Sequence, residues 1–336
     1  MIDEFYMRLA LGEAWKYQLL TYPNPAVGAA LLDRYGRLIA VAAHEKAGEP
    51  HAEINAFCDA FCAICPDEAK IARLRELNAS EDIHNFLRKY HDGLFSGCAL
   101  FVTLEPCASG GKTPACAPLI ADLGVRRVVI GCDDPNPKMS GGGEYLRDRG
   151  VAVTRGVCEK ECAVLLEPFK RWLRRPFILF KWAQRLNGAI DDGKISCDLA
   201  LDETHRLRSV CDLLVVGGAT VRADRPILDA RRVNARAPDV QIVSSQSDFD
   251  KTIPLFGVPN RSVSIAPKLE VDSGFIFVEG GLGLLNYLAD RIDWLLCYES
   301  LALSGGSRSI GFDRRLELLH SGYIGDNIKI WSSIAR

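Results

Sequence analysis

His51-Ala52-Glu53, followed by Pro106-Cys107 and then Cys116, gives the chain one imidazole, two thiolates and a carboxylate that need not be a ligand. One histidine and two cysteines make a zinc site with three protein ligands and an open fourth position for water. Zinc in such a site lowers the pKa of its water from about 16 to roughly 7. With Glu53 beside it to shuttle protons, the set suits hydrolytic removal of an amino group from a ring amidine. Glu53 as a fourth ligand would close the site and leave no vacancy, so the reading keeps it as the acid/base. A purely structural zinc site is the bland alternative, and the incomplete ligand set argues against it.

The elements needed to hold these groups are legible around them. His51 to Phe61 has a helical pattern, which puts His51 and Glu53 at a helix start. Ala99 to Leu104 is an apolar strand running straight into Glu105-Pro106-Cys107, and Pro118 to Leu123 is the next helix. Both ligand sets then lie at helix N-termini, whose positive ends favour thiolate. Upstream, Glu4 to Tyr17 reads as an amphipathic helix, with Tyr6, Leu9, Ala10, Ala14 and Tyr17 on one face. Val27 to Leu32, Leu38 to Ala43 and Arg127 to Gly131 read as strands. Strand–helix alternation implies an α/β layered domain with ligands at strand ends.

With 336 residues, 48% hydrophobic and 25% charged, the chain is expected to form two globular domains. A net charge of -2 gives no global attraction to nucleic acid or to an anionic membrane. No apolar run approaches the roughly 18 residues of a membrane span. The acidic start Met1-Ile2-Asp3-Glu4-Phe5 does not read as an export signal. The twelve cysteines are therefore expected to be reduced thiols in a cytoplasmic protein. Cys58, Cys62 and Cys65 have a spacing seen in some iron–sulfur sites, but beside Phe57, Phe61 and Ile64 they read as core-facing. Cys158 to Arg175 reads as one connecting helix, and its basic end, Lys170 to Arg175, as a solvated face.

The spacing of the two cysteines narrows the reading. Nucleoside, tRNA and single-stranded-DNA deaminases usually show Pro-Cys-x2-Cys, whereas here eight residues separate Cys107 from Cys116. Together with Tyr22-Pro23-Asn24-Pro25-Ala26-Val27-Gly28, Ala47-Gly48-Glu49-Pro50-His51-Ala52-Glu53, Thr103-Leu104-Glu105-Pro106-Cys107, Gly111-Lys112-Thr113-Pro114 and Asp134-Pro135-Asn136-Pro137, that spacing resembles the bifunctional riboflavin-biosynthesis deaminase/reductase family. The resemblance implies a cytidine-deaminase-like three-layer domain over residues 1–146, acting on a pyrimidinone that bears a ribosyl 5-phosphate. It further implies that Asn24 and His44 contact the ring or sugar. Lys112 and Thr113 would reach the phosphate, and Asp134 and Asn136 would form the sugar wall. Residues 54–102 are longer than the usual link, by roughly thirty residues, and the loop after Cys107 lacks the family's histidines.

Beyond Pro176 a second α/β pattern begins. Phe177 to Trp182, Leu213 to Gly217, Val240 to Ser244, Phe275 to Val278 and Trp294 to Tyr298 read as strands. Lys181 lies inside the first apolar run, where a lysine needs a partner or a task. Glu279-Gly280-Gly281-Leu282-Gly283 turns from strand to helix, a glycine-lined start suited to a pyrophosphate. By resemblance, residues 147–336 form a dihydrofolate-reductase-like α/β domain that uses NADPH to reduce the ribosyl group to ribityl. The same resemblance puts Lys181, Asp224, Leu228, Arg231 and Glu279 at the substrate, with Lys181 and Asp224 handling protons. In the loop Asp191 to Leu201, where the family's tryptophan and arginine are not evident, Ser196 is the remaining substrate-binding candidate. Gln184, Thr220, Asp224, Ser245 and Gly281-Leu282-Gly283-Leu284-Leu285-Asn286-Tyr287 would hold NADPH. The turn Leu186-Asn187-Gly188 departs from the family's aspartate–glycine, which keeps a deaminase with a non-catalytic second domain as the alternative reading. A nucleic-acid-editing deaminase fits neither the charge nor the cysteine spacing. A small-molecule phosphoribosyl pyrimidine as substrate and a homo-oligomeric assembly complete the expectations, with no nucleic-acid or membrane partner.

Overall fold

The computed structural model describes residues 2–111, 113–190, 193–306 and 308–335. The chain divides into two compact units after Lys170.

The first unit opens with α1 (Ile2–Trp15), which has Asp3 and Glu4 in its first turn, where the positive end of the helix favours carboxylates. It buries Met7, Ala10, Leu11, Ala14 and Trp15, so the apolar stripe lies one residue round from the expected face. The hairpin β1 (Gly28–Leu32) and β2 (Leu38–Ala43) follows. Its turn is held by the Asp33 carboxylate, which accepts from the amides of Tyr35 (2.8 Å) and Arg37 (2.9 Å). Then come α2 (Ala52–Ile64), α3 (Glu68–Arg75), α4 (Ser80–Tyr90), β3 (Ala99–Leu104), α5 (Cys116–Asp122), β4 (Arg127–Cys132), α6 (Gly142–Arg147), β5 (Ala152–Arg155) and α7 (Glu159–Leu165).

The five strands form one sheet in the order β2-β1-β3-β4-β5, with β3, β4 and β5 parallel. β1, β3 and β4 are buried along almost their whole lengths, as strands covered by helices on both faces must be. β5 pairs with β4 and α7 packs on it, so this unit runs well past residue 146. Leu104 stands opposite Cys132 in the parallel β3–β4 pair. The segments that leave these two strands, carrying Cys107 and Asp134, therefore emerge side by side at the carboxyl edge. The long link between the zinc motifs folds as α3 and α4 against α2. Its apolar side includes Ile71, Leu74, Ile83, Phe86 and Leu87.

The expected single helix from Cys158 to Arg175 is instead two short ones, α7 and α8 (Glu167–Trp172), interrupted at Leu166. Its basic end is not simply solvated. Arg171 and Arg175 both pair with Asp293, whose buried carboxylate also accepts from the amide of Ile178 at 2.9 Å. A carboxylate this deep needs such partners.

The second unit contains β6 (Phe177–Arg185), α9 (Asp198–Val210), β7 (Leu213–Gly217), α10 (Gly218–Asp224), β8 (Val240–Val243), β9 (Val263–Ala266), β10 (Phe275–Glu279), α11 (Leu282–Leu288), β11 (Trp294–Ser300), β12 (Leu316–Ile324) and β13 (Asn327–Ile334). They give an eight-stranded sheet, β12-β13-β11-β6-β10-β7-β8-β9. The six strands from β11 to β9 are parallel, and the β12–β13 hairpin adds antiparallel to β11. β10 inserts between β6 and β7, so Lys181, Glu279 and Val216 stand in register across three strands. Crevices outside the carboxyl ends of such strands are where α/β sheets bind ligands. Both units have the fold class expected from the sequence.

Candidate active sites

His51 immediately precedes α2, Cys107 follows β3 by three residues, and Cys116 opens α5. The Nδ1 of His51 lies 3.7 Å from Cys107 Sγ and 3.4 Å from Cys116 Sγ. Ligand atoms about 2.0–2.3 Å from a tetrahedral zinc stand roughly 3.6 Å apart, so the three side chains already have the shape of its shell. Among the described residues, this is the cluster of three or more histidine, cysteine or acidic side chains whose donor atoms converge. Cys58, Cys62 and Cys65 form no such cluster and are half-buried, not core-facing, because Ala56, Phe57, Ala60 and Phe61 take the inner face of α2.

The backbone braces the two cysteines. The Cys116 amide donates to Cys107 Sγ at 3.2 Å, and the Ala117 amide to the Cys107 carbonyl at 3.1 Å. Hydrogen bonding to Cys116, with the neighbouring imidazole, holds the Cys107 thiol well below its usual range, while the same contact and burial raise Cys116. With Nδ1 turned to the sulfurs, His51 Nε2 donates to Thr113 Oγ1 at 3.1 Å. Thr113, expected at the phosphate, thus fixes the ring of His51, the candidate metal ligand, and Lys112 lies outside the described residues. Outer-shell partners of this kind typically matter 10–100-fold for metal affinity. Thr113→Val is therefore expected to weaken zinc binding by about tenfold, read by competition with a chelator. An unchanged affinity would remove Thr113 from that role.

A cavity of about 240 Å³ opens over this cluster, lined by Asn24, His44, His51, Glu53, Glu105, Cys107, Asp134 and Asn136, with Met139 and Phe169. Glu53 is 3% exposed, and burial pushes its carboxyl up to about 7. His44 donates from Nδ1 to the Pro50 carbonyl (3.0 Å) and accepts on Nε2 from the Asn24 amide (3.1 Å). Burial lowers His44 to about 4, so it is a neutral wall of the pocket. Asp134 caps its own turn by accepting from the Asn136 amide at 2.8 Å, and burial raises it to about 6. Sequence reasoning did not single out Met139 or Phe169. An isolated apolar residue in a loop or short helix carries no signal that it faces a ligand.

The second unit holds a wider cleft of about 900 Å³, lined by Lys181, Arg208, Thr220, Asp224, Leu228, Glu279, Gly281 and Arg308, among others. Lys181 lies deep in it, its Nζ 3.9 Å from Glu279 Oε2. Burial lowers the Lys181 pKa, against the opposing pull of Glu279. Arg208 grips the same carboxylate twice, Nε to Oε1 at 2.6 Å and Nη2 to Oε2 at 3.0 Å, and donates to the Asp229 carbonyl at 3.2 Å. Burial would raise Glu279, but the charges of Arg208 and Lys181 prevail and keep it low. Arg208 escaped the sequence reading because an arginine on an amphipathic helix looks like any solvated one.

Several expected residues stand apart from this cleft's lining. Gln184 accepts from Trp182 Nε1 (2.8 Å), Arg231 is exposed and paired with Asp229 (2.7 Å), Ser245 is exposed, and Ser196 is buried. Leu284 and Leu285 turn into the hydrophobic core, so only their backbone could meet a cofactor. Leu282 is half-buried, whereas Gly283, Asn286 and Tyr287 lie on the outer side of α11.

Comparison with known proteins bears on both units. Residues 1–132 match the cytidine and deoxycytidylate deaminase zinc-binding region, and residues 176–329 match the RibD C-terminal domain. Deaminase chemistry in one unit and reductase chemistry in the other define a two-domain, two-reaction enzyme. The riboflavin biosynthesis protein RibD of Aquifex aeolicus is 31% identical over 98% of this chain and 90% of its own length. RibD of Mycobacterium tuberculosis (strain ATCC 25618 / H37Rv) is 30% identical over 91% and 86%. The crystal structure of a diaminohydroxyphosphoribosylaminopyrimidine deaminase/5-amino-6-(5-phosphoribosylamino)uracil reductase from Thermotoga maritima is 26% identical, with 99% of each chain covered and a TM-score of 0.65. This chain belongs to the RibD family and is a bifunctional deaminase and reductase of riboflavin biosynthesis, with zinc and NADPH as its cofactors. Its full-length relatives favour two working domains over a deaminase with an inert appendage. No helix among the described residues is long and apolar enough to cross a membrane.

Proposed function

We propose that the first unit deaminates a diamino-pyrimidinone bearing a ribosyl 5-phosphate, and that the second reduces the ribosyl group of the product to ribityl. The observation that carries the reading is the convergence of His51, Cys107 and Cys116 under a cavity that Glu53 also lines. These three side chains would hold zinc, which when bound polarises a water and brings its pKa near neutrality. Glu53 receives the proton of the attacking water and passes it to the ring nitrogen. It then takes the proton of the newly added hydroxyl and gives it to the amino group, which leaves as ammonia while the ring carbonyl forms. Asn24 and His44, held by each other, flank the ring, while Asp134 and Asn136 wall the sugar side. Lys112 takes the phosphate end.

In the second unit, NADPH, when bound, would supply the hydride that reduces the anomeric carbon. Lys181 and Asp224 handle the accompanying proton, and Glu279 holds Lys181 in place. Thr220, Gly281 and the start of α11 would receive the cofactor. Arg231, which stands outside the lining of the cleft, would have to leave Asp229 to clamp the substrate phosphate, its planar fork suiting two oxygens at once. The working form is read as a cytoplasmic homo-oligomer. The edge strand β12, with Leu318 66% and Tyr323 82% exposed, is surface that such an assembly would cover. A coupled assay that follows ammonia and NADPH separately tests the order of events. Ammonia is expected to appear without NADPH, and NADPH oxidation to require the deaminated compound. Oxidation that precedes ammonia release would overturn the sequence of steps.

A further inference from the structure

Arg155 closes β5, outside every motif that points to catalysis. Its guanidinium reaches three carboxylates: Nη2 lies 2.8 Å from Glu105 Oε1 and 2.9 Å from Glu144 Oε2, and Nη1 pairs with Asp133. Glu105 is the junction. Its side chain is 3% exposed and accepts from the Gly143 amide (2.9 Å) and the Asp134 amide (3.4 Å), besides Arg155. Glu105 stands two residues before Cys107, and Asp133 immediately precedes Asp134. One guanidinium therefore ties the strand end that carries a proposed metal ligand to the loop that walls the cavity.

The packing around this junction leaves no slack. A methyl group on Gly143 would lie 2.2 Å from Arg155 Nη2, and one on Gly142 would lie 1.7 Å from the Pro106 carbonyl oxygen. Two side-chain-free residues at the start of α6 thus admit the guanidinium and the Pro-Cys turn together. Without the arginine, a buried Glu105 carboxylate would face Asp133, Asp134 and Glu144 with no cation between them, and like charges at this range repel.

We propose that Arg155 is a positioning residue of the deaminase, holding the Asp133–Asn136 wall against the Glu105–Cys107 turn so that the substrate's sugar side is received in register. The proposal rests on the deaminase assignment of this cavity. A lysine offers one point charge where the planar fork bridges several acceptors, so it replaces arginine only in part.

The test is steady-state ammonia release by Arg155→Ala, Arg155→Lys and Asp133→Asn, with zinc content measured on each. Arg155→Ala is expected to raise KM for the pyrimidine by about tenfold, as displacement of a binding wall does, while kcat and zinc content stay within about twofold of the unsubstituted enzyme. Arg155→Lys should recover part of the loss. Asp133→Asn, at an exposed carboxylate, should raise KM in the same sense even if Arg155→Ala fails to fold. NADPH oxidation with the deaminated substrate should be unchanged throughout. An unaltered KM, or a loss of zinc and kcat with KM constant, would overturn the proposal. Glu53→Gln run in parallel separates the two levels. If that variant releases ammonia at the unsubstituted rate, Glu53 is not in the proton path and the assignment of deamination to this cavity, on which the proposal rests, has failed. If it is inactive while Arg155→Ala keeps a normal KM, only the role of Arg155 has.

Discussion

Glu53→Gln is expected to lower ammonia release by about 10²–10⁴-fold, the usual contribution of a positioned acid/base, with NADPH oxidation of the deaminated substrate unchanged. Glutamine keeps the size and most of the hydrogen-bonding capacity of the side chain but cannot accept and return a proton. The position matters because Glu53 is buried in the wall of the cavity and sits two residues from His51, so the proposed ligand and the proposed acid/base share one turn at the start of α2. Burial raises its carboxyl toward neutrality, which suits a group that must take a proton in one step and give it up in the next. Zinc content should not change, because the three ligand side chains are untouched. Deamination that survives the substitution would remove Glu53 from the proton path.

Lys181→Ala is expected to have the opposite signature: ammonia release intact, and NADPH oxidation reduced by about 10²-fold or more, as for loss of a proton-handling group. Lys181 is buried in β6 at the floor of the second cleft, facing Glu279, with Arg208, Cys297 and the Tyr298 ring among its other charged or titratable neighbours. Burial lowers its pKa, so the protonated form is lost at lower pH than for an ordinary lysine. If that form serves the reaction, NADPH oxidation declines on the alkaline side below the usual lysine range, and Lys181→Ala lacks that limb. The variant should still fold, since Glu279 keeps its two-point contact with Arg208. Unaffected NADPH oxidation would place the reaction elsewhere in the cleft.

How far the sequence was legible follows from how local each determinant is. β2, β3 and β7 fall where their apolar runs begin and end, because a buried strand is specified by its own residues. The convergence of His51, Cys107 and Cys116 was equally legible, since thiolates and an imidazole at helix starts report their chemistry without a partner being known. β12 and β13 were not anticipated. Both mix polar and apolar residues, and their pairing is specified by β11 rather than by their own pattern. The basic run at Lys170–Arg175 misled for the same reason, because its partner Asp293 lies more than a hundred residues away. Arg208 and Arg155 likewise acquire meaning only from carboxylates brought by other elements of the fold. Thr113 shows the limit of the family resemblance: the residue type was expected at the site, but its contact with His51 is visible only in three dimensions.

The claim on which the deaminase reaction depends is an open, three-ligand zinc site made by His51, Cys107 and Cys116. X-ray absorption at the zinc edge, on protein with its metal content determined, tests it most directly. The account predicts one zinc per chain with two sulfur neighbours near about 2.3 Å and two nitrogen or oxygen neighbours near about 2.0 Å, one of them exchangeable. A shell of three or four sulfurs, or full ammonia release from protein stripped of zinc, would contradict it.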